Sequence, residues 1–127
     1  MKVAIFENEY ESVRVSFETA NLIYFDNKID FSVYPSSQSA DLTKINDYDV
    51  IFIDIDLSSK SELDGYSLIE KITSINQDIG KRIIVLTGNN KIVESLNSRG
   101  LYINNLKVII KPTDYEEVSK NINKVLN

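Results

Sequence analysis

The sequence predicts a doubly wound α/β domain, in which helices cover both faces of a parallel sheet. Two short apolar runs rich in β-branched side chains, residues 50–53 and 83–86, are typical of strands buried on both faces. Segments with apolar residues at helical spacing follow the strands, so that strand and helix alternate five times along the chain. This alternation predicts a parallel sheet with right-handed crossovers.

Residues 3–6 form the predicted first strand, and Glu7, Asn8 and Glu9 follow it. The next apolar positions recur on one helical face: Val13, Phe17, Ala20 and Tyr24. Asn8 or Glu9 is the expected cap of this helix. Residues 29–34 then alternate apolar and polar side chains up to Pro35, which predicts a half-exposed strand at a sheet edge.

The second half of the chain repeats the pattern. A short helix is expected around Ala40, Leu42 and Ile45, before the central strand that ends on Asp54. Asp64 is the expected cap of the next helix, and Thr113 with Glu116 has capping-box spacing before the last one. The fourth and fifth predicted strands, residues 83–86 and 106–110, end on Thr87-Gly88 and Lys111-Pro112. A helix over residues 91–97, ended by Gly100, separates them.

Composition narrows the class of protein. The 127 residues suit one domain, residues 1–127, with a real core. The net charge of −5 disfavours direct binding to DNA or RNA, which needs a basic face. The chain has no cysteine and no histidine, which excludes thiolate zinc sites and Ser-His-Asp catalysis. The first apolar run is too short for a signal peptide or a membrane span, so a cytoplasmic protein without a membrane partner is expected.

Polar side chains follow four of the predicted strands. Parallel strands bring their carboxyl ends to one edge, which would gather Glu7, Asn8, Asp54, Thr87 and Lys111 there. Asp56 lies two residues after Asp54 and faces the same side if the strand continues. Oxygen ligands without histidine suit Mg²⁺, whereas a lysine and a hydroxyl suit phosphate oxygens. A carboxylate beside Mg²⁺ is the arrangement for an aspartyl-phosphate, although each residue taken singly is also typical of a solvated strand end.

These residues carry a resemblance. Over its full length, the chain resembles the receiver domain of two-component response regulators. Five points match in the same order along the sequence: the acidic cluster after the first strand, Asp54, Asp64-Gly65, Thr87-Gly88 and Lys111-Pro112. The resemblance implies a flavodoxin-like three-layer sandwich with strand order 2-1-3-4-5. It also implies a cis Lys111–Pro112 peptide bond and a phosphate on Asp54, donated in trans by a histidine kinase or phosphotransfer protein.

The same resemblance implies roles for the remaining residues. Glu7 and Asn8 fall on the Mg²⁺-binding pair, with Asp54 and the Asp56 carbonyl as further ligands. Thr87 and Lys111 fall on the pair that contacts phosphate. The expected activity is therefore limited to Mg²⁺-dependent phosphorylation and dephosphorylation of Asp54, in a phosphorelay that signals by contact with a downstream protein. The expected surface for that protein lies near residues 91–98, Lys107 and Tyr115.

Three departures keep alternatives open. Asn8 replaces a metal-binding carboxylate, Val108 replaces an aromatic residue that swings when the threonine engages phosphate, and the loop from Asp54 to Asp64 is long and lacks the common proline. A pseudo-receiver that binds partners without phosphorylation is therefore one alternative. A haloacid-dehalogenase-type phosphatase is another, with Asp54 as nucleophile and Asp56 as general acid and base. The sequence also leaves open whether the domain forms a homodimer, and whether it is a stand-alone domain or an excised fragment.

Overall fold

The computed structural model describes residues 1–102 and 106–127. Within them the chain forms a five-stranded parallel sheet of order β2-β1-β3-β4-β5, as the resemblance implied. The strands are β1 Lys2–Phe6, β2 Asp30–Tyr34, β3 Val50–Asp54, β4 Ile83–Thr87 and β5 Lys107–Ile110. The predicted strand boundaries are thus correct to within one residue. Residues 103–105, which precede β5 in the sequence, lie outside the described part.

Four α-helices lie in the described residues: α1 Arg14–Tyr24, α2 Gly65–Ile75, α3 Ile92–Ser98 and α4 Tyr115–Leu126. The second of the five expected strand-helix units, which lies wholly in the described range 1–102, has no α-helix, although the short helix expected around Ala40, Leu42 and Ile45 is present in 3-10 form. There the chain forms short 3-10 segments, Ser37–Ser39 and Leu42–Asp47, in place of an α-helix. Only Ile45 of the longer segment is buried, so the segment has too few apolar residues to cover the sheet as a full helix would.

The sheet separates two apolar layers, because successive side chains of each strand point to opposite faces. On one face Val3, Ile5, Val50 and Phe52 pack with residues of α1 and α4. On the other face Ala4, Phe6, Ile51 and Ile53 pack with residues of α2 and α3. The strand β3 is buried along its whole length, which confirms the prediction of a central strand. The edge strand β2 is half exposed, also as predicted.

Two predicted helix caps are wrong and one is confirmed. The helix α1 begins at Arg14, after a 3-10 turn Tyr10–Ser12, and neither Asn8 nor Glu9 caps it. Asp114 caps α4 in place of Thr113, because its carboxylate lies 2.8 Å from the Glu117 N–H and accepts from it. Asp64 caps α2 as expected and accepts from the Ser67 N–H at 2.8 Å. No helix in the described ranges has the length and apolar character needed to cross a membrane.

Candidate functional site

The pleat of the sheet brings three of the predicted site residues to one face. Glu7 continues the β1 row of Val3 and Ile5, and Asp54 continues the β3 row of Val50 and Phe52. Lys111 follows Ile109, whose side chain belongs to the same apolar layer. The three polar side chains therefore extend the α1/α4 layer beyond the carboxyl ends of the strands, where open α/β sheets bind their ligands.

Asp54 is the last residue of β3, and only 3% of its surface is exposed. One carboxylate oxygen, Oδ1, accepts from the Asp56 N–H at 2.9 Å. The other oxygen, Oδ2, lies 3.3 Å from the Lys111 ammonium. Both oxygens of this buried carboxylate are thereby hydrogen-bonded, which offsets the cost of removing it from water.

Glu7 is more deeply enclosed, with 1% of its surface exposed. Its Oε1 lies 3.1 Å from the Lys111 ammonium, while its buried Oε2 has no hydrogen-bond partner among the described residues. Burial, followed by the nearby Asp54 carboxylate, raises the pKa of Glu7 to about 8, although Lys111 opposes the rise. A carboxylate with an unsatisfied buried oxygen is a group that a cation or a proton would stabilise.

Lys111 joins the two carboxylates. Burial acts to lower the pKa of Lys111, but the charges of Asp54 and Glu7 outweigh it and raise that pKa above the ordinary lysine value. The Lys111 backbone N–H donates to the Thr87 carbonyl at 2.7 Å, which fixes the chain where β5 ends. The Lys111–Pro112 peptide bond is cis, which confirms the prediction.

Thr87 is the last residue of β4, and its side chain points to the opposite face of the sheet from Asp54. It continues the row of Ile83 and Val85, which pack against α2 and α3, and it is fully buried. Its hydroxyl oxygen accepts from the Asn89 N–H at 3.1 Å, a contact that the residue pattern did not predict. Val108 packs against the same apolar layer. The described contacts of the Thr87 hydroxyl therefore lie within its own loop.

Asn8 and Asp56 are placed differently from the other predicted ligands. Because β3 ends at Asp54, Asp56 lies in the following turn, and its exposed side chain does not continue the strand row. Asn8 is partly exposed and lines a hollow toward Pro35. The described residues contain no group of three or more acidic, histidine or cysteine side chains placed for a metal ion.

The donor set nevertheless fits Mg²⁺ in part. The Glu7 and Asp54 carboxylates share one lysine, and the unpartnered Glu7 Oε2 is an oxygen without its full complement of contacts. Mg²⁺ in proteins commonly takes one or two carboxylates and completes its shell with water and phosphate oxygens. Glu7 and Asp54 would thus supply the charged ligands, and a carbonyl or amide from Asp56 or Asn8 would add a neutral one.

A close backbone approach holds the turn after Asp54. The Gly65 N–H donates to the Ile55 carbonyl at 3.1 Å, at the start of α2. A Cβ atom on Gly65 would lie 2.4 Å from the Ile55 Cα and 2.5 Å from the Asp54 carbonyl oxygen. Only glycine fits this contact without a shift of the backbone. The sequence predicted Gly65 at the helix start, but spacing alone gave no sign of the contact with Asp54.

The order of strands and helices is that of the receiver-type α/β fold. The receiver domain of NtrX from Brucella abortus is similar over 98% of this chain and 97% of its own, with 23% sequence identity and a TM-score of 0.72. The CheY-like receiver domain protein from Methanospirillum hungatei is 17% identical over 98% and 95% of the two chains, with a TM-score of 0.66.

The chemotaxis protein CheY4 of Vibrio cholerae gives a similar result, with 16% identity, a TM-score of 0.70 and coverage of 98% and 97%. Neither a protein-family model nor a curated protein sequence matches the chain significantly. The similarity is therefore one of fold. Over nearly its whole length, the chain has the fold of response-regulator receiver domains. At these identities the roles of individual residues rest on the geometry of the site.

Proposed function

We propose that this protein is a response-regulator receiver domain that accepts phosphate on Asp54 and signals by contact with other proteins. The observation that carries the proposal is the buried Asp54 carboxylate, held 3.3 Å from the Lys111 ammonium at the carboxyl edge of the sheet. An anion that forms on Asp54 would lie beside a fixed cation, which stabilises the charge of a phosphoryl group.

The proposed reaction is a transfer between two proteins, because this chain has no histidine. An Asp54 carboxylate oxygen attacks the phosphorus of a phosphohistidine on a histidine kinase or phosphotransfer protein. An O–P bond forms, the P–N bond breaks, and its electron pair stays on the imidazole, which takes up a proton from water. Later attack of water on phosphorus breaks the O–P bond, which releases inorganic phosphate and restores the carboxylate.

The chain's own residues would orient this chemistry. The Asp56 N–H fixes one Asp54 oxygen, so that the carboxylate plane is set before the donor arrives. Once Asp54 is phosphorylated, the Lys111 ammonium would contact the phosphate oxygens in place of the carboxylate. The Thr87 hydroxyl would supply a neutral donor to them. Mg²⁺, held by Glu7, Asp54 and a neutral ligand from Asn8 or Asp56, would neutralise negative charge on the phosphoryl group.

The proposed output is a protein contact on α3, β5 and the start of α4, near residues 91–98, Lys107 and Tyr115. The acidic chain favours a protein partner over nucleic acid at this face. Val108 has no ring, so an aromatic rotamer at that position cannot carry the signal. The proposed compartment is the cytoplasm.

A second candidate function is a pseudo-receiver that binds partners without taking phosphate. It is favoured by one observation, namely that no third acidic side chain joins Glu7 and Asp54 within the described ranges. The phosphatase alternative is less well supported. It needs the Asp56 carboxylate as a general acid and base, whereas that side chain is exposed beyond the end of β3.

Beryllofluoride, which mimics a phosphoryl group, tests the proposal in solution. Addition of beryllofluoride and Mg²⁺ should shift the NMR signals of Asp54, Thr87, Gly88 and Lys111 in the wild type but not in Asp54→Asn. Asp78→Asn, an exposed carboxylate at the opposite edge of the sheet, is the matched control and should respond like the wild type. Binding that persists in Asp54→Asn would refute the assignment of Asp54. No response in any of the proteins would favour the pseudo-receiver.

A further inference from the structure

A polar cleft opens beside the proposed phosphorylation site. It has a volume of about 450 Å³ and lies between the segment after β2 and the long loop after β3. Its lining includes Asn8, Pro35, Ser36, Gln38, Ser59 and Lys60. Asn8 directly follows Glu7, whose carboxylate shares the Lys111 ammonium with Asp54. The cleft is therefore continuous with the edge at which a phosphodonor must approach.

The loop that forms one wall of this cleft is held in place by two residues of the segment after β2, of which Gln38 lines the cleft. The Gln38 amide donates to the Lys60 carbonyl at 2.7 Å and accepts from the Glu62 N–H at 2.9 Å. The Ser37 hydroxyl, in a residue that is 3% exposed, accepts from the Leu63 N–H at 3.0 Å. These bonds satisfy backbone groups that a loop without regular structure would otherwise leave to water. The cleft is thus a built feature with fixed walls.

The cleft carries positive charge and unused donors. Lys60 is its cation, and the Lys60 ammonium, the Asn8 amide and the Ser59 hydroxyl have no partner among the described residues. The residues that line it include no acidic side chain. Acidic side chains lie outside this lining: Glu62 lines a separate hollow with Lys71, and Glu7, Glu9 and Glu11 line an adjoining hollow that shares Asn8 and Pro35 with the cleft. Because Lys60 is the one charged residue of its lining within the described ranges, the cleft itself is suited to a single anionic group.

We propose that this cleft recognises an acidic side chain of the phosphodonor protein and that Lys60 is its specificity-determining residue. One lysine with neutral amide and hydroxyl donors matches a carboxylate of single charge, whereas a phosphate dianion would be left partly uncompensated. The Ser37 and Gln38 side chains are positioning residues that hold Lys60 over the cleft. The inference rests on the proposed function, because it assumes that a protein brings the phosphate to Asp54.

An acidic peptide serves as the probe. In an NMR titration of the full chain with an N-acetylated tetraglutamate peptide, the amide signals of Asn8, Gln38, Ser59 and Lys60 should shift together. Lys60→Glu should weaken this binding at least tenfold. Lys28→Glu, which reverses the charge of an exposed residue outside the cleft, should leave the affinity nearly unchanged. Gln38→Ala should reduce the affinity several-fold, and Gln38→Glu should do the same, because a carboxylate cannot donate to the Lys60 carbonyl.

Two results would overturn the proposal. Peptide binding that is equal in wild type and Lys60→Glu would show only general attraction to lysines. Shifts at the cleft with inorganic phosphate but none with the peptide would assign the cleft to a phosphate instead. Labelling of Asp54 by acetyl phosphate in Lys60→Gln separates the role of the cleft from the proposed function. If that labelling matches the wild type while peptide binding fails to show the predicted dependence on Lys60, the cleft is refuted and the proposed function stands.

Discussion

The ammonium of Lys111 lies 3.3 Å from Oδ2 of Asp54, across 57 residues of sequence. The same ammonium lies 3.1 Å from Glu7, so that one cation is shared by two nearly buried acidic side chains. Removal of one member from a buried charge cluster leaves the others uncompensated, which costs more than the cluster contributes as a whole. The stability of the domain and the chemistry of the site therefore depend on the same lysine.

Replacement of that lysine should weaken the fold. Lys111→Met should lower the free energy of unfolding by about 2 kcal/mol, below the usual range for a broken buried pair because Lys111 is partly exposed and Glu7 can take up a proton. Urea denaturation followed by circular dichroism measures the change. Lys28→Met, at an exposed lysine, is the control and should differ little from the wild type. Equal stability of Lys111→Met and the wild type would contradict the role assigned to the lysine.

The pKa of Glu7 predicts a pH dependence of stability. Since folding raises this pKa from 4.5 to about 8, the stabilising contribution of Glu7 is fully present below about pH 4.5 and is lost as the pH rises through about 8. The glutamine side chain of Glu7→Gln does not titrate. The free energy of unfolding of this variant should therefore rise relative to that of the wild type across this window, by at most about 1.4 kcal/mol per pH unit.

Denaturation curves at a series of pH values measure that difference for Glu7. Glu62→Gln, which alters an exposed carboxylate, is the control and should keep the pH profile of the wild type. A constant difference in stability between Glu7→Gln and the wild type from acid to alkaline pH would show that folding does not shift the pKa of Glu7.

The contact between Gly65 and Ile55 predicts a steric effect. Gly65→Ala places a methyl group 2.4 Å from the Ile55 Cα, and this backbone atom cannot move aside as a flexible side chain would. The free energy of unfolding should fall by about 1–3 kcal/mol, even though alanine is the better helix former. Gly88→Ala is the matched control, because a Cβ atom on Gly88 would have nothing within 4 Å of it, and its stability should be nearly unchanged. Equal effects of the two substitutions would refute the contact.

Asn8 sets the expected affinity for Mg²⁺. An amide oxygen brings no charge, and one charge pair at about 4 Å is worth roughly 4 kcal/mol at an effective dielectric of about 20, before desolvation is subtracted. Asn8→Asp should therefore tighten Mg²⁺ binding several-fold, whereas Asp56→Ala, which removes an exposed carboxylate and keeps the backbone carbonyl, should change it little. Calorimetric titration with Mg²⁺ decides the matter. An unchanged affinity in Asn8→Asp would place Asn8 outside the metal shell and favour the pseudo-receiver.

Periodicity was sufficient to predict the sheet. The buried runs that became β3 and β4 are apolar throughout, and the alternation before Pro35 marked β2 as an edge strand. The parallel arrangement then placed Glu7, Asp54 and Lys111 at one edge, because strand ends fix positions that are far apart in sequence. Local choices were harder to predict. Asp114 rather than Thr113 caps α4, since both residue types are good caps and the two are adjacent in the chain.

Features that depend on contacts between loops could not be predicted. Nothing in the spacing of Ser37 and Gln38 indicates that they bind the backbone of residues 60–63, because serine and glutamine are common in exposed loops. The close approach of Gly65 to Ile55 likewise arises only when α2 is packed against the end of β3. The placement of Asp56 depended on where β3 ends, and the strand stops at Asp54.

Phosphorylation of Asp54 is tested most sharply by the mass of the intact protein after incubation with acetyl phosphate and Mg²⁺. We predict that the wild type gains the mass of one phosphate, that hydroxylamine removes it as expected of an acyl phosphate, and that Asp78→Asn behaves in the same way. Asp54→Asn should gain nothing. Equal labelling of Asp54→Asn, or an unlabelled wild type under conditions that label a known receiver domain, would contradict the assignment of Asp54 as the phosphoacceptor.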